Sequence, residues 1–508
     1  MRCATSKRPR QSRQRWSAPL AALALTSCAV GPDFHRPGAP STDHYLPTTP
    51  AAEQGQPGAP VTPATSAQRL LPGEELPGEW WQLFQSPPLQ AAVRAALADS
   101  PTLAAANATL AAAQQQIIVA RGALFPHLNA NGGVTHTSGS SPTPLLAPTE
   151  YTLGLSASYA LDVFGGARRG VEQQVALADL QRYQLAAAYL TLTGSVVNEA
   201  LTIASTRLQI ATTYELIESD RKNLKLTERE FQEGTAARTD VLTADAQLAA
   251  DLTTLPSLRT QLEQARDALA VLTGHAPGQW AVHDFDIGEF TLPRELPLTL
   301  PSQLARQRPD VLAAEAQLHA QSAAIGVAYA GEFPSLTVSG SLSREALTAG
   351  ALFHQFDTLR AAGAAVAAPL FAGGALQATT QAARDAYVAQ NATYQGVVVT
   401  ALGQVTDDLW ALQNDAERMT VDQHSVDISA EALKLQQVSY TVGRSSVLQL
   451  IDAQRTYAQA RLALVSAQVQ QLQDTADLLV ALGGAWWKDP RSLAAGAAPP
   501  PATTPRTP

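Results

Sequence analysis

The segment GALFPHLNANGGVTHT begins at Gly122 and AGEFPSLTVSGSLS begins at Ala330, so two Phe-Pro pairs, Phe125-Pro126 and Phe333-Pro334, stand 208 residues apart. The correspondence runs well beyond them. At the same offset Pro101 matches Pro309, Leu110 matches Leu318, Ile117 matches Ile325, Val119-Ala120 matches Val327-Ala328, and Gly165-Gly166 matches Gly373-Gly374. Further on the offset becomes 209: NLKLTEREFQEG from Asn223 lies over ALKLQQVSYTVG from Ala432, and Gly274 lies over Gly483. One residue of drift over such a span marks a duplication. The chain must therefore fold as two similar halves, each written helix, strand, loop, strand, long helix, turn, helix.

The strand-like stretches constrain the fold most. SLTVSGSLS sets Leu336, Val338 and Leu342 against Thr337, Ser339, Ser341 and Ser343, and YTLGLSASYALDV alternates in the same way. A period of two with one apolar and one small, polar face marks a sheet whose two sides meet different surroundings. Strands are expected over about 126–137, 151–163, 334–345 and 361–371. The fourth, near GAAVAAPLF, alternates poorly and contains Pro369, so its place rests on the repeat. About 10 residues each is the length a tilted strand needs to cross a membrane. Four strands cannot close a barrel, and an open edge cannot face lipid, where unpaired backbone groups cost several kcal/mol each. Either the sheet is a soluble periplasmic one, or several chains close a barrel together; three chains give twelve strands.

After Gly166 a helical pattern without proline continues to about Glu233, or ~100 Å at 1.5 Å per residue. It turns near Gly234 and returns through TDVLTADAQLAADL to Gly274, with a kink expected at Pro256. The second half repeats this from Gly374 to Val442, with a turn near Gly443, and back to Gly483. A leading helix from Pro101 to about Ala123 follows the Ser100-Pro101 cap pair. The hydrophobic share is 45% but aromatics are only 6%; much of the difference is alanine, which suits side-by-side coiled-coil packing. The two repeats thus occupy 100–274 and 309–483, with less regular segments at 28–99, 275–308 and 484–508. Trp80-Trp81 and Trp486-Trp487 in those segments form either a belt along the helices or two separate local clusters. The tail AAGAAPPPATTPRTP has the composition of a disordered segment.

Residues 1–27 read as a signal peptide: Arg2, Lys7, Arg8, Arg10, Arg13 and Arg15, then an apolar run too short to span a bilayer. It ends in Leu25-Thr26-Ser27-Cys28, which resembles a bacterial lipoprotein box and would make Cys28 the acylated first residue; the alternative is a plain signal peptide with an incidental cysteine. Ala29 and Val30 follow it, not an acidic retention signal, which points to the outer membrane. Removing six cationic residues takes the formal charge from −9 to −15. Cys3 leaves with the signal, so the mature chain has no disulfide.

Other classes find little support. No basic stripe with interleaved aromatics suggests nucleic acid. There is no P-loop or dinucleotide fingerprint; His275, His283 and Asp284 lack metalloprotease spacing, and Asp162 reads as a strand end. An enzyme is not expected, nor a cofactor or bound metal. Only Met419 remains after signal removal, so no thioether relay for copper or silver exists.

With LTSCAVGPDFHRP, the two FP.L corners, YALDVFGGARR, APLFAGG and SYTVGRSSVLQLIDAQR in order, the chain resembles the TolC-like outer-membrane factors, and among them the NodT-type efflux lipoproteins. The resemblance covers nearly the whole mature chain. It implies an α+β fold: a trimeric, twelve-stranded transmembrane β-barrel, four strands per chain, continuing into a long periplasmic α-helical barrel. It implies a passive exit duct for small molecules such as drugs or other toxic compounds, one that works as a homotrimer in outer-membrane lipid with a periplasmic adaptor and an inner-membrane transporter of the RND type. It places adaptor-docking tips at Gly234, Thr235, Gly443 and Arg444, and a periplasmic gate at Leu448, Asp452 and Arg455. Family members often carry acidic residues six and nine positions after the second tip glycine; here these are Gln449 and Asp452. Three Asp452 carboxylates near a three-fold axis would repel one another, and Arg455 can pair with Asp452 or reach a neighbouring subunit. The alternatives are a type I protein-secretion channel, a metal-efflux channel, and, in a different class, a non-conducting periplasmic coiled-coil lipoprotein.

Overall fold

The computed structural model describes residues 29–38, 42, 45, 68–137 and 149–488. Cys28, the signal segment 1–27, most of the loop between the first two barrel-type strands, and the tail from 489 lie outside the described residues. The helices are α1 (Pro87–Asp99), α2 (Pro101–Gly122), α3 (Gly166–Gln232), α4 (Arg238–Leu272), α5 (Pro301–Gln307), α6 (Pro309–Ala330), α7 (Ala351–His354), α8 (Ala375–Thr441) and α9 (Val447–Ala481). The strands are β1 (Arg69–Pro72), β2 (His127–His136), β3 (Thr149–Leu161), β4 (Glu295–Leu298), β5 (Ser335–Ala346) and β6 (Asp357–Ala367). The fold is α+β, and the duplication is visible in its lengths. Helices α2 and α6 have 22 residues each, α3 and α8 have 67, and α4 and α9 have 35. Among the described residues no helix is long and apolar enough to cross a membrane.

One compact unit comprises residues up to Asp33, Val119–Glu172 and Ser322–Arg384. It holds an antiparallel sheet in the order β2-β3-β5-β6. The register aligns the alternation of β2, β3 and β5, and Ala364 and Val366 of β6 join it, while Leu359 falls on the opposite face. Val134 faces Tyr151, Leu128 faces Ala157, Leu155 faces Leu342, Tyr159 faces Val338, and Leu336 faces Val366. These residues form one apolar face. The other carries Asn129, Asn131, Thr152, Ser156, Ser339, Ser341 and Gly363. No described residue covers the apolar face at its outer strands: Leu128 is 71% exposed and Val366 70%. Among the described residues, the outer edges of β2 and β6 have no partner strand in the sheet. The fourth strand ends at Ala367, four residues before the expected 371, which leaves Pro369 outside the ladder. Proline has no N–H to donate, and β6 has no neighbour on its outer side to hold the last residues extended.

Where β3 meets α3, the Asp162 carboxylate accepts the N–H groups of Ala167 and Arg168, both at 3.0 Å, and the Arg168 guanidinium at 3.0 Å. Burial works to raise its pKa, but these donors hold it below the ordinary 3.8. The strand-end acid of the sequence is thus a helix cap. Residues 29–33 are fastened at the same corner. The Val30 N–H reaches Phe164 O at 3.0 Å. The buried Arg169 donates to Val30 O and Gly31 O at 3.3 Å and to Asp33 and Glu172 at 2.7 Å. Gly31, with φ 97°, sits so close to Gly326 that a Cβ there would lie 2.5 Å from the Gly326 Cα.

The second unit comprises Phe34–Ile118, Gln173–Gln321 and residues from Asp385. Its core gathers Trp80, Trp81, Phe84, Leu201, Ile203, Leu269, Leu296 and Trp486, all 0–1% exposed. The two tryptophan pairs belong to one cluster rather than two: Trp486 meets Tyr183 edge-on at 6.0 Å, and Trp487 packs against the same core. The Trp486 indole N–H is satisfied by Gln307 O at 2.8 Å. A short parallel pair, β1 with β4, lies in this unit. Helix α4 runs on through Pro256 without a break.

Candidate gate and docking tips

Both hairpin tips end their long helix in the same way, for a local reason. Gly234 and Gly443 take φ 79° and 72°, a left-handed conformation that costs an L side chain roughly 1–2 kcal/mol. The next N–H then folds back: Thr235 N to Glu230 O at 2.8 Å, and Arg444 N to Ser439 O at 2.8 Å. The Thr235 hydroxyl adds a bond to the same carbonyl at 2.9 Å. All four tip residues named from the sequence are exposed.

The position six residues after each tip glycine is a capping position. Asp240 Oδ2 accepts the Ala237 N–H at 3.0 Å. In the second tip Gln449 Oε1 accepts the Ser446 N–H at 3.1 Å while the Ser446 hydroxyl accepts the Gln449 N–H at 3.4 Å, a reciprocal capping box. Glutamine serves that role as well as an acid does, so the missing carboxylate at 449 leaves the local fold unchanged.

Leu448 is half-buried, and Asp452 is exposed one turn further along α9; both line a groove with Ser429 and Gln436 of α8. Arg455 does not meet Asp452. Its guanidinium instead hydrogen-bonds Gln247 Oε1 on α4. The expected Asp452–Arg455 pairing is therefore not made within the chain: both side chains are exposed, and an exposed pair gains too little to outcompete a partner on a packed helix.

Around this region polar bridges stitch the two hairpins together. Asn223 bonds Gln454, Tyr440 bonds Glu230, and Arg461 reaches Glu215 at 2.6 Å. Burial, and then the Glu230 carboxylate, push the Tyr440 phenol up to about 12.

Sequence reasoning missed two buried carboxyl pairs. Asp220 of α3 is 4% exposed, and no donor reaches its Oδ2. Burial first, and then the facing Asp251 carboxylate, push its pKa up to about 7, against the pull of Arg455. Asp251 is held by Gln247 Nε2 at 2.9 Å. In the other hairpin, Asp415 of α8 is pushed up to about 7 by burial and by Asp474, which Gln470 holds at 2.8 Å. The signal was present but weak. Thr213, Ile217, Asp220, Asn223 and Thr227 are all buried, a seam of three- and four-residue steps in which an aspartate is out of place.

The loop containing His275 and His283 stays structural. His275 stacks on Trp280 at 5.1 Å, and His283 bonds Glu289 at 3.1 Å. Arg266 is paired with Glu263 at 2.7 Å and also with Asp284.

This order of elements and these faces define a channel subunit with a sheet built for a membrane and a pair of long helical hairpins. The family described as Outer membrane efflux protein matches residues 92–275 and 300–484, and the chain belongs to it. It is 30% identical over 429 residues to the pyoverdine export outer membrane protein OpmQ of Pseudomonas aeruginosa, covering 82% of this chain and 89% of the relative. It is 26% identical over 485 residues to nodulation protein T of Rhizobium leguminosarum bv. viciae, covering 92% and 93%. Its fold matches the solved outer-membrane channel OprN with a TM-score of 0.80 at 26% identity, covering 90% of this chain and all of that one. The protein is an outer-membrane efflux duct of TolC-like fold.

Proposed function

We propose that three copies close a twelve-stranded barrel in the outer membrane, and that their helical hairpins line a periplasmic conduit. An RND-type inner-membrane transporter feeds it through a periplasmic adaptor, and the energy comes from that transporter. The single observation that carries this reading is the four-stranded sheet. The apolar residues of β2, β3 and β5 share one face in register, their small polar residues share the other, and among the described residues both edges of the sheet are open. Such a sheet is stable in lipid only if further copies complete it. Cargo is small molecules, drugs or other toxic compounds; the export of pyoverdine by the OpmQ relative is in keeping with a duct for compounds of that size. Cys28 carries the lipid anchor, and the exposed tips at Gly234, Thr235, Gly443 and Arg444 dock the adaptor.

The gate is assigned to Leu448, Asp452 and Arg455. The groove-lining position of Leu448 and Asp452 supports it, as does the grip of Arg455 on Gln247, which holds α9 against α4. Single-channel conductance in planar bilayers tests both parts. Small, flickering wild-type currents that become large in Asp452→Ala support duct and gate. Equal large currents keep the duct and remove Asp452 from the gate. No current from verified trimers of either protein refutes the conducting barrel and brings the bridging lipoprotein forward.

A further inference from the structure

The Phe164 and Phe333 rings stack with centroids 4.6 Å apart and planes 21° from parallel. Phe333 belongs to the helix-to-strand corner of the second half, and Phe164 follows the end of β3 in the first. The stack therefore closes the seam where β3 of one half pairs with β5 of the other.

A duplicated chain has a second set of these parts. The counterpart of Phe333 is Phe125. The counterpart of Val163-Phe164-Gly165-Gly166 is Leu370-Phe371-Ala372-Gly373-Gly374, with one residue inserted. Phe125 and Phe371 flank β2 and β6, the two outer edges of the sheet. Phe125 is 64% exposed, Phe371 92% and Leu370 96%. The inner pair, Phe164 and Phe333, is half-buried, and the outer pair, Phe125 and Phe371, is bare, although both are written alike.

The strand register shows how the bare set would be covered. Ser158 faces His127, and Ala367 holds the equivalent place facing Ser335. Carrying the Leu155–Leu342 and Leu161–Leu336 pairs over by these correspondences sets Ala364 opposite Val134, and Leu370 opposite Leu128. Every one of these residues falls on the apolar face. By this register Phe371 stands two residues before the place that Phe164 holds in the first half, so it is diagonal to Phe125 rather than directly opposite, a separation that aromatic rings bridge across strands.

We propose that Phe371 of one copy packs against Phe125 of the next, repeating between copies the contact that Phe164 and Phe333 make within one. The partner is a second copy of this chain, and the inference rests on the trimer reading above. It adds the residues and the register at which copies meet, and it gives the irregular stretch 368–373 a role. Pro369 ends the ladder of a lone β6, and the neighbour's β2 and Phe125 hold the chain beyond it.

Full-length Phe125→Cys/Phe371→Cys protein in outer-membrane fractions, treated with a short bis-methanethiosulfonate linker, tests the contact. Linked dimers and trimers on a denaturing gel are the expected result. Each single variant and the wild type, whose own cysteines are Cys3 and Cys28, should give none. The Phe164→Cys/Phe333→Cys protein should link only within a chain and stay at monomer size. Native assemblies that form normally but give no linked species from the double variant overturn the Phe125–Phe371 contact alone. Solubilised wild type that is monomeric by light scattering overturns the contact and the trimer reading together.

Discussion

Replacing Asp220 by asparagine should stabilise the protein at alkaline pH and leave it little changed in acid. The carboxyl is 4% exposed and faces Asp251, and the Arg455 guanidinium is the cation that offsets their repulsion. Its pKa is about 7 in the folded chain against an ordinary 3.8, so between those values the folded state holds a proton that the unfolded state has given up. Stability therefore falls as pH rises from about 4 to about 7, and above 7 the full cost of the ionised pair is present. Three pKa units at about 1.4 kcal/mol each put a ceiling of roughly 4 kcal/mol on that cost. Asparagine removes the charge and supplies an N–H to the Asp251 carboxylate. Loss of the attraction to Arg455 offsets part of the gain, so roughly half the ceiling is the expected effect at pH 8. The assay is thermal or denaturant unfolding of detergent-solubilised protein, followed by helical circular dichroism at pH 5 and pH 8. The Asp415 pair titrates in the same range but is common to both proteins, so the difference between wild type and variant isolates Asp220. An equal effect of the substitution at both pH values, or destabilisation at pH 8, would refute the shared-proton argument.

Other consequences follow from the same geometry. Arg169→Ala removes four hydrogen bonds and the cation between Asp33 and Glu172, and should cost about 2–4 kcal/mol; faster proteolytic cutting within residues 29–38 reads the loss. Gly326→Val drives a side chain into Arg169, whose Cγ lies 2.7 Å from where a Cβ would stand, and should lower the melting temperature more than Arg169→Ala does. Gly234→Ala and Gly443→Ala meet no neighbour within 4 Å, so each should cost only the backbone term of about 1–2 kcal/mol, seen as faster hydrogen exchange at the tips with the global melt preserved. Arg455→Gln withdraws the cation that pulls the Asp220 pKa down, so the loss of stability should begin at the same pH, about 4, but continue to higher pH and reach a greater depth.

Much of the fold was legible because it is written locally. A tip needs one residue at positive φ, and the glycines at 234 and 443 stand there. The periods of two and of about three and a half separate β3 and β5 from α3 and α8 without any knowledge of their neighbours. The fourth strand was legible only through the repeat, and its end was misplaced because Pro369 counts against pairing while the motif around it matches the first half. The site was less legible. The tip residues follow from chain geometry, but the role of Arg455 depends on Gln247, 208 residues away, and a sequence does not record which faces of two distant helices meet.

The sequence by itself determined the duplication, the element lengths and the two-faced strands, since each follows from periodicity or glycine placement. Only the tertiary structure decided that the tryptophans form a single core, that Asp162 caps α3, that Arg455 leaves Asp452 for Gln247, and that Asp220 faces Asp251. The physical reason is the same in each case. Partners far apart in the chain are chosen by the rotation and register of packed elements, and a rotation of one residue, 100° on a helix, exchanges one set of partners for another.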